Sequence, residues 1–408
     1  MTAALVVLLV AGVGEPSRNS VADVLAEQGL VLGIDFEAEN PKAPHPSKER
    51  REAYEKAGLG AWLAAQTEGE TDEISEPPPA LRQYLAQNHA AVWKTIGALE
   101  KASPDWGSAD EVPRPEILPN SRLQRLLLAT ALVEELDGHA IEAERSLEAS
   151  WSVGVPTAKD DTLMGQMMRL NDARWQSGVL RKMKGNSLIW MDRLGRDDLW
   201  RGMIGGVRGE AELRSPSGEG GPSFEPFSKA VTKSMRAISD GLRKISPCDR
   251  EALSSEALWK MAERELGPMT DEEKRPAGAP TDAIWPQEFV EKSIVPNVSG
   301  VVRRAARASI DRELTLRVLE VRLERQGSRD GKWPLELPNT HSVVCPEASY
   351  SYRSDGESME IRFEGPVVVP DGRALPLVFR SGPRPIMPTA TPPPPLTPSP
   401  EGGMMPPQ

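Results

Sequence analysis

Histidine, cysteine and the smaller aromatic residues are scarce in this chain: among 408 residues there are four His, two Cys, four Tyr and six Phe. Four histidines make a multi-histidine metal centre hard to build, and no metal or cofactor site is expected. Cys248 and Cys345 lie too far apart for a CxxC metal knuckle or redox motif, which leaves either a single disulfide or two free thiols. Long apolar runs are also missing. The longest, Ala3 to Val13, would span about 16 Å as a helix, against a hydrocarbon core near 30 Å. Also absent are GxxxxGK[ST], HExxH and GxSxG, and the glycine runs at Gly202–Gly209 and Gly218–Gly221 lack the strand-then-helix context of a phosphate cradle.

Proline and tryptophan are what the chain does have: 38 Pro, and ten Trp making half of all aromatics. The apolar share of 39% is low for one compact globule, and the proline content is about twice the usual level near 5%. Together they predict a folded core interrupted by linkers, and they exclude collagen, a coiled coil, a polytopic membrane protein and a disulfide scaffold. The formal charge of −11 argues against a diffuse attraction to nucleic-acid phosphates. Most of that excess sits early: Asn19–Asn120 holds eighteen acids and nine bases, whereas Ser121–Lys260 holds twenty and twenty-one.

The Ala3–Val13 run has the length of a secretory h-region, with Gly12 and Gly14 as small residues before a cleavage point. No Lys or Arg precedes it, which is explained by a weak signal or by a start codon assigned too late. Either explanation puts the rest of the chain outside the cytoplasm, in the cell envelope, with membrane association through the N-terminus. The competing reading is a buried N-terminal element of a cytoplasmic protein.

Helical spacing dominates the middle. Helices are predicted over Asn19–Gly29, from Ser47, over Leu81–Leu99, and from Asn120 or Ser121 to an Asp137-Gly138 turn. Further helices cover Ala140–Trp151, Lys159–Lys184, Asn186–Val207, Phe227–Ile245, Asp249–Leu266 and Pro296–Gln326. The hairpin around Asp137-Gly138 has partly tetratricopeptide-like spacing, in one unit only. Thr67–Pro79, acidic and ending in three prolines, reads as an exposed linker, and Ser103–Pro119 and Ser215–Pro226 as further breaks. From Trp333 the period shortens to that of strands, at Val343–Val344, Tyr350–Tyr352, Met359–Phe363, Val367–Val369 and Leu375–Phe379. From Pro383 eleven of 26 residues are Pro, the composition of a disordered or polyproline-like tail.

The predicted organisation is therefore mainly α, a multi-helix body of antiparallel hairpins with a small C-terminal antiparallel β meander and a disordered Pro-rich tail. Its segments are 1–18, a signal or truncated anchor; 19–119, an acidic helical region with linkers; 120–326, the helical body; 327–382, the β segment; and 383–408, the tail.

Candidate chemistry is thin. Glu134, Glu135, Asp137, His139 and Glu142 form the one cluster of His and carboxylates, and a solvated helix end explains it better than a metal site. The basic tract Arg181–Arg214, with Trp190 and Trp200, resembles a nucleic-acid surface, but Asp192, Asp197, Asp198, Glu210 and Glu212 interleave with its bases and predict salt-bridged helix faces. The seven arginines of Arg303–Arg325 are offset in the same way by Asp311, Glu313, Glu320 and Glu324. Met and Trp stripes at helical spacing read as core.

Gly331-Lys332-Trp333-Pro334 after the arginine-rich helix, then Cys345-Pro346 and Tyr350-Ser351-Tyr352 leading to Asp355-Gly356, resemble the C-terminal pattern of a loose class of bacterial envelope proteins. In that class an N-terminal signal or anchor precedes a helical middle, and a long helix leads through G-x-[WY]-P into a small sheet. The Gly29–Ala57 stretch and the Asp137-Gly138 hairpin also fit. The helix-to-sheet arrangement remotely resembles a pseudopilin body, although no pilin-type leader stands beside that helix. The class carries no activity to transfer; it implies an envelope location, with Gly331, Trp333 and Pro334 as a structural turn.

The leading expectation is thus a non-enzymatic envelope protein whose helical body binds a protein partner. An extracytoplasmic hydrolase using carboxylates is the first alternative, and a cytoplasmic regulatory protein the second. A deep pocket lined by two or more inward-facing acids would favour the hydrolase. If Cys248 and Cys345 pair outside the cytoplasm, closing that loop contributes up to about 4 to 5 kcal/mol.

Overall fold

The computed structural model describes residues 19–38, 40–105, 117–158, 161–185, 187–213, 225–267, 286–366 and 377–382. They form a helical body with one small antiparallel sheet. Helix α1 (Ser20–Leu32) opens on Asn19, whose side chain accepts from Ala22 N at 2.9 Å, and closes on Gly33 at φ +76°. It runs a turn past the predicted stop because Gly29 is buried against Ile34 and Phe36, where a side chain would collide. Ser47 caps α2 (Lys48–Lys56), and α3 (Leu59–Thr67) follows.

The ladder predicted as one helix over Leu81–Leu99 is two, α4 (Pro79–Gln87) and α5 (His89–Leu99). Asn88 breaks it by donating its side-chain amide to Tyr84 O at 2.9 Å, an alternative to helix continuation that periodicity does not register.

Helices α6 (Ile117–Leu136) and α7 (Ala140–Ala158) form the hairpin, turning at Gly138 with φ +86°. Asn120 and Ser121 lie inside α6 and do not cap it. Pro119 fits the first turn, where a missing N–H costs nothing, and the Ser121 hydroxyl donates to Asp172 Oδ1 at 2.9 Å. Next come α8 (Leu163–Leu180), α9 (Ser187–Arg196) and α10 (Leu199–Leu213). The single helix expected over Asn186–Val207 is broken at Asp197-Asp198, where Asp198 Oδ1 accepts from Arg201 N at 2.9 Å and starts α10. After α11 (Glu225–Leu242) and α12 (Ser255–Leu266), a short turn α13 (Pro286–Phe289) passes through a π-helical stretch, Val290–Ile294, into α14 (Val295–Gly327).

At 33 residues α14 is about 50 Å long and serves as the axle of the fold. Its first half, with Val298, Val302, Ala305 and Ala306, packs into a core with Met203, Val207, Met235, Ile238 and Leu258. Its second half, with Ile310, Leu314, Val318 and Val321, carries the sheet. Leu319 reaches the core built by α1 to α9. The predicted stripe is therefore buried along its whole length.

The sheet is a meander, β1 (Tyr350–Ser354), β2 (Met359–Phe363) and β3 (Val378–Ser381), with Tyr352 opposite Ile361 and Ile361 opposite Phe379. Tyr350, Met359, Ile361, Phe363 and Phe379 face α14. Val343–Val344, expected as a strand, is a turn held by Glu313, and Val367–Val369 lies outside the described residues. The Pro-rich segment from 383 also lies outside them. Among the described residues no helix is long and apolar enough to cross a membrane.

The acidic Thr67–Pro79 stretch, expected as an exposed linker, is fastened to the sheet and to Lys182. Arg380 N donates to Glu70 O at 2.7 Å along the open edge of β3, and Lys182 Nζ donates to Thr71 O at 2.9 Å. The stretch thereby covers a sheet edge that would otherwise expose unpaired backbone groups.

Candidate functional site

The polar side of α14 departs most from the sequence reading. Arg307, Arg312, Arg317 and Arg322 are buried, although their neighbouring acids suggested a solvated, salt-bridged face. Three of them meet partners distant in the chain: Arg312 pairs with Asp197, Arg317 donates to His341 O at 3.0 Å, and Arg322 reaches the end of α8. Arg322 donates to Leu180 O at 2.9 Å and Met183 O at 2.7 Å, and also to Arg181 O, supplying donors to the carbonyls at the end of α8. Arg181 in turn reaches across to Asp311 Oδ1 at 2.9 Å and Thr315 Oγ1 at 2.7 Å. Burial raises the Asp311 carboxyl, and the guanidinium groups of Arg181 and Arg307 oppose that rise.

Beside this seam runs a groove of about 1180 Å³ between α9–α10 on one side and α14 on the other. The loop around Pro247 and the turn at Asn339–Val344 close its end. Its walls mix apolar side chains, among them Trp200, Ile204, Leu316 and Val344, with four arginines and four acids. Val343 stands at the rim with 78% of its surface exposed. The helix break at Asp197-Asp198 lies in the groove wall.

Four acids lining one groove is the arrangement that would favour a hydrolase, so the state of each matters. Asp197 is paired with Arg169 and with Arg312 Nη1, the latter at 2.6 Å. Asp198 caps α10. Glu320 takes both oxygens to Arg317, at 2.9 and 3.1 Å. Glu313 is buried and accepts from Val343 N at 2.5 Å, Val344 N at 3.4 Å and Tyr350 Oη at 3.2 Å. All four are committed to structure.

Cys248 and Cys345 are joined, 97 positions apart with Cα atoms 5.6 Å apart, and both are buried. The bond links the loop bearing Pro247 to the turn bearing Val343 and Val344, so it fastens together two walls of the groove. Gly331, Trp333 and Pro334 lie on the opposite side of α14. Gly331 turns at φ +64°, Trp333 N donates to Gly356 O at 2.9 Å, and the Tyr352 hydroxyl donates to Pro334 O at 2.7 Å. Arg325 covers the Trp333 ring at 4.4 Å.

Trp333 and Arg325 also line a second cleft of about 760 Å³, three of whose four cations are committed. Lys182 is fixed on Thr71 O, Arg322 on the end of α8, and Arg325 on Gly331 O at 2.7 Å.

His139 pairs with Glu134 at 2.8 Å on an exposed turn, and that hydrogen bond raises the imidazole pKa. Among the described residues no three His, Cys, Asp or Glu side chains come close enough to hold a metal. In the basic tract, Arg196 pairs with Asp192 at 2.9 Å and Arg208 with Asp240 at 3.0 Å, while Trp190 is buried against Trp151. No protein-family model, curated protein or solved structure matches the chain. The groove therefore has to be interpreted from its own geometry.

Proposed function

We propose that this is a non-enzymatic, partner-binding protein of the cell envelope, and that the groove between α9–α10 and α14 receives the partner. The observation that carries the reading is the groove itself: about 1180 Å³ lined by apolar side chains interleaved with arginines and with acids that hold structural contacts. Two further features support it. The buried Cys248–Cys345 bond fits an oxidising compartment, and the Ala3–Val13 run fits export. Sites of this kind bind through shape and apolar area, with a few polar groups fixing orientation.

The test is a photo-reactive side chain placed at Val343 in the full chain, expressed in its own cells, with the same group at Ile141 as control; Ile141 is 73% exposed on α7, away from the groove. A discrete adduct from Val343 alone, in the envelope fraction, is the expected result. The same adduct pattern from both positions, no adduct, or a purely cytoplasmic protein would count against the proposal.

A further inference from the structure

We infer that the segment bound in the groove carries an acidic side chain between apolar ones. This deepens the partner-binding reading and rests on it. The four acids of the groove are engaged, as described, by arginines and backbone N–H groups. Its cations are not engaged to the same extent. Arg243 is 54% exposed, and its nearest carboxylate, Asp240 at 3.8 Å, is already held by Arg208 at 3.0 Å. Arg201 is 85% exposed, with one contact to Asp198 at 3.3 Å.

Beneath them, Arg169 and Arg312 share the single carboxylate of Asp197. Arg312 keeps Nε and Nη2 without a partner, and burial lowers its pKa to about 10. Its charge acts on the groove through a low-dielectric wall, where Coulomb interactions are several times stronger than in water.

Around Asp197, Asp198 and Asp240 stand Arg169, Arg201, Arg208, Arg243 and Arg312, five cations to three carboxylates, although the whole chain carries −11. Because the global field repels anions, the preference has to be local, over distances within the screening length of about 8 Å at physiological salt. An acidic side chain seated against Arg201 or Arg243 meets an exposed guanidinium group, and apolar neighbours on the same segment fall on Trp200, Leu316 and Val344. A basic segment would face the same cations.

A random peptide library displayed on phage and selected on the oxidised full chain tests this with no partner in hand. The expected outcome is enrichment of sequences with Asp or Glu flanked by apolar residues. Synthetic copies should lose about tenfold or more in affinity by fluorescence anisotropy when Arg201→Glu and Arg243→Glu are combined. Both sites are on the surface, and unchanged circular dichroism would show that the fold is intact.

Enrichment of basic or uncharged peptides would overturn the inference, as would acidic peptides indifferent to the double substitution. The partner-binding reading fails separately. If nothing enriches over an albumin-coated surface, both ideas fall. If uncharged peptides enrich and are lost on Val343→Asp, the groove stands and only the charge preference is wrong.

Discussion

The buried pair Arg181–Asp311 ties α8 to α14 and gives the sharpest test of how this fold is held. Both side chains are 1% exposed. Arg181 donates to Asp311 Oδ1, to Thr315 Oγ1 and, at 3.3 Å, to Thr67 O, so one guanidinium joins α3, α8 and α14. Arg181→Met removes all of these and leaves a carboxylate in the core whose Oδ2 already lacks a partner. Stranding a buried charge in this way costs about 3 to 5 kcal/mol, a large part of a typical total of about 5 to 15 kcal/mol.

Asp311→Leu strands the guanidinium, but Thr315 and Thr67 still accept from it, so its loss falls at the lower end of that range. The double variant Arg181→Met with Asp311→Leu removes both desolvated charges and should recover most of the loss. Denaturant unfolding of the four proteins completes a double-mutant cycle, with an expected coupling of about 2 to 3 kcal/mol.

The pH dependence has a definite sign. Burial raises the Asp311 carboxyl above its unfolded value, so the folded state holds a proton that the unfolded state has released, and the penalty grows as pH rises through that interval. Without Arg181 the rise is larger, and the Arg181→Met variant should be less impaired at pH 4 than at pH 8. Strict additivity of the two single substitutions, or a loss below about 1 kcal/mol for Arg181→Met, would refute this account.

Other consequences are more local. Asp172 is buried in α8, and its pKa is pushed up to about 7 by burial, against the Ser121 hydroxyl and the charge of Arg125. Turned so that its nitrogen faces the carboxylate, the Gln124 amide lies 2.9 and 3.1 Å from the two oxygens and opposes the rise further. Relative to an unfolded value near 4, the folded state binds the extra proton between about pH 4 and 7, so stability falls with rising pH by up to about 4 kcal/mol. Asp172→Asn should flatten that slope and gain stability at pH 8 but not at pH 4, as measured by urea midpoints. Reducing the Cys248–Cys345 bond, or replacing both residues with Ser, should cost up to about 4 to 5 kcal/mol in the chain-entropy model, read as a lower urea midpoint than that of the oxidised protein. Gly178→Ala in α8 would drive a methyl into Thr67 and should destabilise by about 1 to 3 kcal/mol, whereas Gly97→Ala in α5 meets nothing within 4 Å and should stabilise by about 0.5 to 1 kcal/mol; thermal unfolding separates them by sign.

What could be read from the sequence follows from local physics. Apolar side chains at helical spacing marked Val302, Ala306, Ile310, Leu314, Val318 and Val321 as one buried stripe, and the structure buries all six. Turn chemistry placed the hairpin at Asp137-Gly138, and alternation marked Met359–Phe363 as a strand. The same signals misjudged continuity. An apolar period persists across Asn88 and across Asp197-Asp198, because periodicity records which face a residue is on and not whether the backbone hydrogen bonds continue. The signal that could have found the second break was present in two adjacent aspartates, the residue type that favours helix N-caps.

Local pattern could not decide the fate of the arginines on α14. An arginine with acids three and four residues away looks the same in sequence whether it faces water or the end of another helix. Only the packing of α8 across α14 turned Arg322 into a cap for carbonyls and joined Arg181 to Asp311, residues 130 positions apart. The groove is of the same kind, since its walls come from α9–α10, α14, the Pro247 loop and the Val343 turn. Neighbours within a few residues set the helical segments, their buried faces and the strand at Met359–Phe363. Tertiary structure alone decided which charges were neutralised inside the protein and which arginines still face the groove, because that balance is struck between segments that sequence distance does not connect.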